Sequence, residues 1–126
     1  MEKIFLDTNT FIDILEDRDP SLRDMLAGNA LYISTASIPI WVYVYKLDID
    51  QINKSLIFEV FNLVSQTVEI TKRAFTGPLK DYEDNIQLHS AAVSECSVFL
   101  TNDKEVLDLG YFGDMKIVSP SDLVKE

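Results

Sequence analysis

Residues 3–9 read Lys-Ile-Phe-Leu-Asp-Thr-Asn, and the order of apolar and polar residues here predicts how the fold begins. An apolar run from Lys3 to Leu6 stops at an acid, Asp7. From Thr10 to Glu16 the apolar residues then recur three and four positions apart, which is the spacing of a helix. The stretch therefore predicts a strand, an acidic turn and a helix.

The same alternation of strand and helix continues along the chain. Further strands are predicted at 31–34, 67–70, 97–100 and 116–118, and further helices at 20–28, 52–64 and 82–93, with a helical turn at 120–124. Another helix follows strand two, with Ser34 or Ser37 as its cap and Pro39 in its first turn. Such alternation is typical of an α/β protein with a mostly parallel sheet covered on both faces. We predict one domain over residues 1–126.

Composition and charge exclude several classes of protein. Apolar residues make up 47% of the 126 residues and charged residues 25%, as in a globular domain. The net charge of −10 argues against a passive nucleic-acid coat, although bound metal ions would reverse the field around an acidic site. No apolar run is long enough for a membrane helix, and the single cysteine, Cys96, fits a reducing cytoplasm.

Three acids lie where strands and helices meet. Asp7 ends the first strand, Asp103 follows the strand at 97–100, and Asp84 opens the helix before that strand. Ligands of open α/β sheets bind beyond the carboxyl ends of the strands. If the three carboxylates converge there, their repulsion favours a shared cation, and oxygen ligands without His or Cys suit Mg²⁺ or Mn²⁺.

Each of these acids also has a purely structural interpretation. Asp7 and the Thr101-Asn102-Asp103 segment are favourable helix N-caps, and Asp84 could simply complement a helix dipole. Both interpretations stay open for each residue taken alone, and the coincidence of three such positions favours a site.

Three segments together resemble the acidic motifs of PIN-domain proteins. The segments are 3–9 (Lys-Ile-Phe-Leu-Asp-Thr-Asn), 80–87 (Lys-Asp-Tyr-Glu-Asp-Asn-Ile-Gln) and 98–104 (Val-Phe-Leu-Thr-Asn-Asp-Lys), and their order and spacing match over the whole chain. The resemblance implies a three-layer α/β/α sandwich with a mostly parallel central sheet. It also implies an Mg²⁺- or Mn²⁺-dependent endoribonuclease acting on single-stranded RNA, as in VapC-like toxins that a cognate antitoxin protein inhibits.

The resemblance also assigns residues and partners. It implies that Asp7, Asp84 and Asp103 are the catalytic, metal-binding acids. The supporting polar residues would be Thr8, Asn9, Asp81, Thr101 and Asn102. A homodimer is expected as well, since the region around Trp41, Tyr43 and Tyr45 contributes to dimer or partner contacts in the family; core packing is an equally good interpretation of these three side chains.

One position departs from the family pattern. A glutamate usually stands in the helix after strand two, and Ile40 falls at about that position here. Three carboxylates suffice for one metal ion, whereas a second ion would lack a ligand. The alternative function is therefore a PIN-like domain with weak or no catalysis that binds a protein or a nucleic acid.

Other families fit the motifs less well. A phosphohydrolase of the haloacid dehalogenase type requires a second aspartate where Asn9 stands, and a response-regulator receiver requires an aspartate closing a middle strand. The four scattered glycines form no nucleotide-binding loop. Phe75, Tyr82 and Trp41 are available to contact RNA bases, although packing is the commoner role of such residues.

Overall fold

The computed structural model of the protein describes residues 1–124, with side chains to Leu123. Its strands are β1 (Lys3–Leu6), β2 (Ala30–Ser34), β3 (Asn62–Val64), β4 (Val98–Leu100), β5 (Tyr111–Phe112) and β6 (Met115–Val118). Its helices are α1 (Thr8–Leu15), α2 (Pro20–Leu26), α3 (Ser37–Tyr45), α4 (Ile49–Lys54), α5 (Ile57–Val60), α6 (Val68–Ala74), α7 (Tyr82–Val93), α8 (Lys104–Leu107) and α9 (Pro120–Val124).

The strands form one sheet in the order β3-β2-β1-β4-β6-β5. Every neighbouring pair is parallel except β5 and β6, which form a hairpin. The predicted mostly parallel sheet is therefore confirmed. Strand β1 lies between β2 and β4, so that the ends of these three strands, and the residues that follow them, are neighbours.

Side chains that alternate along the strands build a core on each face of the sheet. Ile4 and Leu6 pack on one face with residues of α1, α2, α3 and α5, whereas Phe5 packs on the other face with residues of α7 and α8. Phe5 also stacks on Phe99 of β4, with ring centroids 5.4 Å apart. Helices thus cover both faces, which confirms the three-layer α/β/α sandwich.

The structure corrects two predicted elements in the middle of the chain. The helix predicted at 52–64 is divided between α4, α5 and β3, because Leu56 adopts a left-handed conformation (φ 58°) and residues 62–64 pair with β2. The strand predicted at 67–70 is instead the start of α6. The Thr67 side chain accepts a hydrogen bond from the N–H of Ile70 at 3.1 Å, and this cap outweighs the strand preference of the β-branched residues.

Two smaller differences concern local chemistry. Ala36, rather than Ser34 or Ser37, occupies the N-cap position of α3, and its N–H donates to Ser34 Oγ at 3.0 Å. Strand β5 was not predicted, although the two-residue loop at Gly113, with φ 62°, is a typical hairpin turn. None of the helices within residues 1–124 has the length and apolar character needed to cross a membrane.

Candidate functional site

The carboxyl ends of β1 and β4 lie side by side and bring the first and third acidic segments together. The N–H of Asp7 donates to the carbonyl of Leu100 at 3.2 Å, which continues the pairing of the two strands by one residue. The N–H of Thr101 donates in the same way to the carbonyl of Val118 on β6, at 3.0 Å. Asp7 and Thr101 therefore leave the sheet at one edge, as the topology argument requires.

One buried hydroxyl links the two acids at this edge. Thr101 is fully buried, and its Oγ1 donates a hydrogen bond to Asp7 Oδ2. The same oxygen accepts the N–H of Asp103 at 3.0 Å. Thr101 thus orients one carboxylate directly and positions the backbone of the other, which makes Asp7, Thr101 and Asp103 a single hydrogen-bonded unit.

The structural interpretation of the acids is also correct in part. Asp7 caps α1 by accepting the N–H of Thr10 at 2.9 Å, and Asp103 caps α8 by accepting the N–H of Glu105 at 2.9 Å. Asp81, and not Asp84, caps α7, since it accepts the N–H of Asp84 at 3.0 Å. Capping uses Asp7 Oδ1 and Asp103 Oδ1, whereas Asp7 Oδ2 accepts from Thr101 and no residue in 1–124 donates to Asp103 Oδ2. The caps therefore do not exclude a site.

Asp84 approaches the unit from α7. Its pKa is raised from 3.8 to about 7, first by burial and then, in decreasing order, by the carboxylates of Asp81, Asp103, Asp7 and Glu83. Asp84 is therefore within electrostatic reach of both edge acids.

The pKa of Asp7 is also raised, chiefly by burial, although its hydrogen bonds oppose the change. A site with two carboxyl groups whose charged forms are disfavoured carries a repulsion that a bound cation would relieve.

Electrostatic reach is nevertheless not coordination. Among residues 1–124, no three side chains of His, Cys, Asp or Glu stand close enough together to hold a metal ion. Charges interact over several ångströms, whereas Mg²⁺ binds oxygen at about 2.1 Å. Asp7, Asp84 and Asp103 thus lie around one edge of the sheet, and their role as catalytic, metal-binding residues stays a prediction.

A second polar network adjoins Asp7 and joins Thr8, a predicted supporting residue, to Ser37 and Gln87, which the sequence analysis did not assign to the site. Thr8, buried and next in sequence, shares a hydrogen bond of 2.8 Å with Ser37 at the start of α3. Gln87 of α7 donates from Nε2 to the same Thr8 hydroxyl. The available signal was spacing, because Gln87 lies one helical turn after Asp84 and so shares its face of α7.

The single carbonyl oxygen of the Gln87 side-chain amide, Oε1, is a buried hydrogen-bond acceptor without a donor among residues 1–124. Gln87 is 3% exposed, and no residue of the described chain donates to its Oε1. An unpaired buried carbonyl oxygen is costly, and such oxygens usually bind water or an ion. This orphaned oxygen beside the acids fits the chemistry of a hard divalent cation, which takes carboxylate and amide oxygens and the waters they hold.

Five other residues that the sequence analysis named lie outside these two hydrogen-bonded networks. Asn9 and Asn102 are exposed, and within residues 1–124 their side chains form no hydrogen bond, so a supporting role for them stays a prediction. Trp41 is buried and donates from Nε1 to Glu16 at 3.0 Å, which makes it a core residue. Tyr43, by contrast, is 84% exposed. Ile40, at the family's glutamate position, is half-buried on α3.

The molecule is thus an α/β sandwich with carboxylates gathered at the carboxyl edge of a parallel sheet. No family model matches the chain, and no curated protein matches it. It is similar to a chain in the crystal structure of VapBC2 from Rickettsia felis bound to a DNA fragment from their promoter. The match has a TM-score of 0.63 and 14% sequence identity, and it covers 93% of this chain and 98% of that chain. The fold is therefore a VapC-like PIN fold.

Proposed function

We propose that the protein is a divalent-cation-dependent endoribonuclease that cleaves single-stranded RNA and acts as the toxin of a toxin–antitoxin pair. The observation that carries the proposal is the Asp7–Thr101–Asp103 unit at the ends of adjacent strands, with Asp84 within electrostatic reach of both acids. A VapC-like fold supports the same assignment. Residues 1–126 act as one PIN-like domain in this proposal.

Each residue has a defined task in the proposed reaction. Asp7, Asp84 and Asp103 hold Mg²⁺ or Mn²⁺, and Thr101 keeps Asp7 in position while the backbone of Thr10 binds its other oxygen. The cation, when bound, activates a water and neutralises charge on the phosphate oxygens. No histidine base is then required. Burial raises the pKa of Asp7, and a bound cation would favour the charged form of its carboxyl group.

The partners follow from charge and from the similar structure. The acids Asp7, Asp84 and Asp103, on a chain of net charge −10, suit a basic segment of an antitoxin. The similar solved structure is that of a VapBC complex. We place the protein in the cytoplasm. We further propose a homodimer, for which the exposed Tyr43 and Val44 of α3 offer apolar surface.

The proposal is tested by incubating purified protein with an unstructured RNA and Mn²⁺ or Mg²⁺. Cleavage that EDTA abolishes and that Asp7→Asn lowers by at least a hundredfold is the expected result. Thr10→Ser is the matched control next to the site, because serine keeps both the backbone N–H and the hydroxyl through which residue 10 hydrogen-bonds Asp7. Wild-type protein that cleaves no RNA with either cation would contradict the enzyme.

A second function is favoured by two observations. Ile40 places an apolar side chain where the family has its glutamate, and the described residues contain no compact group of three potential metal ligands. Both features suit a PIN-like domain that binds a protein or a nucleic acid without cleaving it. The two functions differ in the thermal response to metal, since a pure binding module gains no stability from Mn²⁺.

A further inference from the structure

Two aromatic rings stand exposed where α6 ends and α7 begins. Phe75 is 74% exposed and Tyr82 is 42% exposed, although their ring centroids are only 5.3 Å apart with an interplanar angle of 37°. Mutual packing therefore covers only part of either ring. Tyr82 is the first residue of α7, so it belongs to the same first helical turn as Asp84.

The ring pair is held in place by a buried amide. Asn85 is 2% exposed, and its Nδ2 donates to the carbonyls of Ala74, at 3.0 Å, and Leu79, at 2.8 Å. Its Oδ1 accepts the N–H of Leu79 at 2.9 Å. Asn85 thus ties the residue before Phe75 and the loop to the turn of α7 that carries Tyr82. The rings form a surface that is organised before anything binds to it.

Basic residues flank this surface in an otherwise acidic chain. Lys72, Arg73 and Lys80 are three of the eleven bases of the chain, and all three are exposed. Arg73 is paired with Glu69 at 2.9 Å, whereas within residues 1–124 the ammonium groups of Lys72 and Lys80 form no ion pair.

Lys72 and Lys80 lie within three residues of the two rings in sequence, and exposed aromatic faces with unpaired cations are the combination that proteins use for single-stranded nucleic acid. An apolar peptide segment would gain nothing from the two lysines, whereas the phosphates of a nucleic acid would. Asp81 and Glu83 beside Tyr82 oppose that gain, and the cation of the proposed function would offset their charge. The chemistry at this surface therefore favours RNA over an antitoxin.

We propose that Phe75 and Tyr82 form a stacking platform for an unpaired base of the RNA, next to the nucleotide that is cleaved, with Lys72 and Lys80 binding the adjoining phosphates. The inference rests on the proposed function for its substrate class. Stacking reads no base edge, so the platform binds any base and selects single-stranded over duplex RNA.

Binding without cleavage tests the platform separately from catalysis. Wild-type protein in EDTA is titrated against a labelled, unstructured RNA of about 12 nucleotides, and the fluorescence anisotropy is measured. Phe75→Ala and Tyr82→Ala are each expected to weaken binding by about tenfold, and Tyr82→Phe, which keeps the ring, to bind as the wild type does. Phe58→Ala is the matched control, since Phe58 is 82% exposed on α5, away from the site.

Two additional measurements separate stacking from a general loss of surface. Lys72→Ala and Lys80→Ala should each lower the slope of log affinity against log salt by about 0.7. A single abasic position is moved along the RNA, and the wild type should bind more weakly when the missing base is the one that stacks on the platform. Phe75→Ala should remove that difference, because the base then has no ring on which to stack.

The outcomes are distinct for the two proposals. Ring-dependent RNA binding by a protein that never cleaves RNA supports the platform and contradicts the nuclease. Cleavage by a protein whose ring variants bind RNA like the wild type contradicts the platform alone. Absence of RNA binding by the wild type, ring variants that lose only a protein partner, or equal binding of duplex RNA would each overturn the platform.

Discussion

Replacement of Asp84 by asparagine tests the electrostatics of the candidate site most directly. Burial and the neighbouring carboxylates raise the pKa of Asp84 from 3.8 to about 7. The folded protein therefore keeps a proton on Asp84 between about pH 4 and pH 7 that the unfolded chain releases. The free energy of unfolding of the metal-free protein consequently falls as pH rises through that interval. Asp84→Asn cannot ionise and removes this part of the decline.

The size of the effect follows from the pKa and the exposure. One pKa unit corresponds to about 1.4 kcal/mol, and solvent screening at the partly buried Asp84 leaves ~1–2 kcal/mol of the total. Asp84→Asn should therefore match the wild type near pH 4 and exceed its metal-free stability by ~1–2 kcal/mol at pH 8. The corresponding rise in Tm is about 4–8 °C.

The assay is urea denaturation followed by circular dichroism at pH 4, 6 and 8 in EDTA, repeated at pH 8 with Mn²⁺. Mn²⁺ at a hundred times its Kd would stabilise the wild type by about 2.7 kcal/mol, and Asp84→Asn should lose most of that gain. Asp24→Asn is the control, because it removes the same charge from an exposed position of α2.

Two results would contradict the ionisation of Asp84 and its metal ligation, respectively. A stability difference between Asp84→Asn and wild type that is the same at pH 4 and pH 8 would show that the asparagine acts through packing and not through ionisation. A Mn²⁺ response that Asp84→Asn retains in full would show that Asp84 is not a ligand, whatever its pKa.

Three further variants test the surroundings of the site. Thr101→Val removes the buried hydroxyl that joins Asp7 to the backbone of Asp103 and should lower the free energy of unfolding by ~1–3 kcal/mol. Thr101→Ser should recover most of this stability, and a valine variant as stable as the wild type would contradict the linking role. Ile40→Glu should lower the Tm of the metal-free protein, and added Mn²⁺ should restore it if Ile40 adjoins the acids; a loss that ignores Mn²⁺ would place Ile40 outside the site. Phe11→Ala should cost ~3–5 kcal/mol in urea denaturation, because the fully buried ring packs edge-on against two other aromatic rings; a loss below ~1 kcal/mol would contradict that packing.

Much of the fold could be predicted because its signals are local. The bounds of α7, at 82–93, agree with the prediction, and β1 does too, since helical periodicity and a short apolar run are properties of neighbouring residues. The region 52–64 could not be predicted, because its apolar residues suit a helix at every position. Pairing of 62–64 with β2 is a contact between segments distant in sequence, and local spacing carries no information about it.

In the candidate site, too, local features could be predicted from the sequence and contacts between distant segments could not. From the sequence it follows that acids come after β1 and β4 and that Asp7 and Asp103 suit helix caps, because capping joins a carboxylate to an N–H two or three residues later. The strand order then brings these two acids to one edge of the sheet. That the start of α7 lies at the same edge is known only from the packing of α7 against the sheet. The hydrogen bond that demonstrates it joins Gln87 and Thr8, which are 79 positions apart. A contact of that separation depends on how both layers pack against the sheet, and no pattern within either segment specifies it.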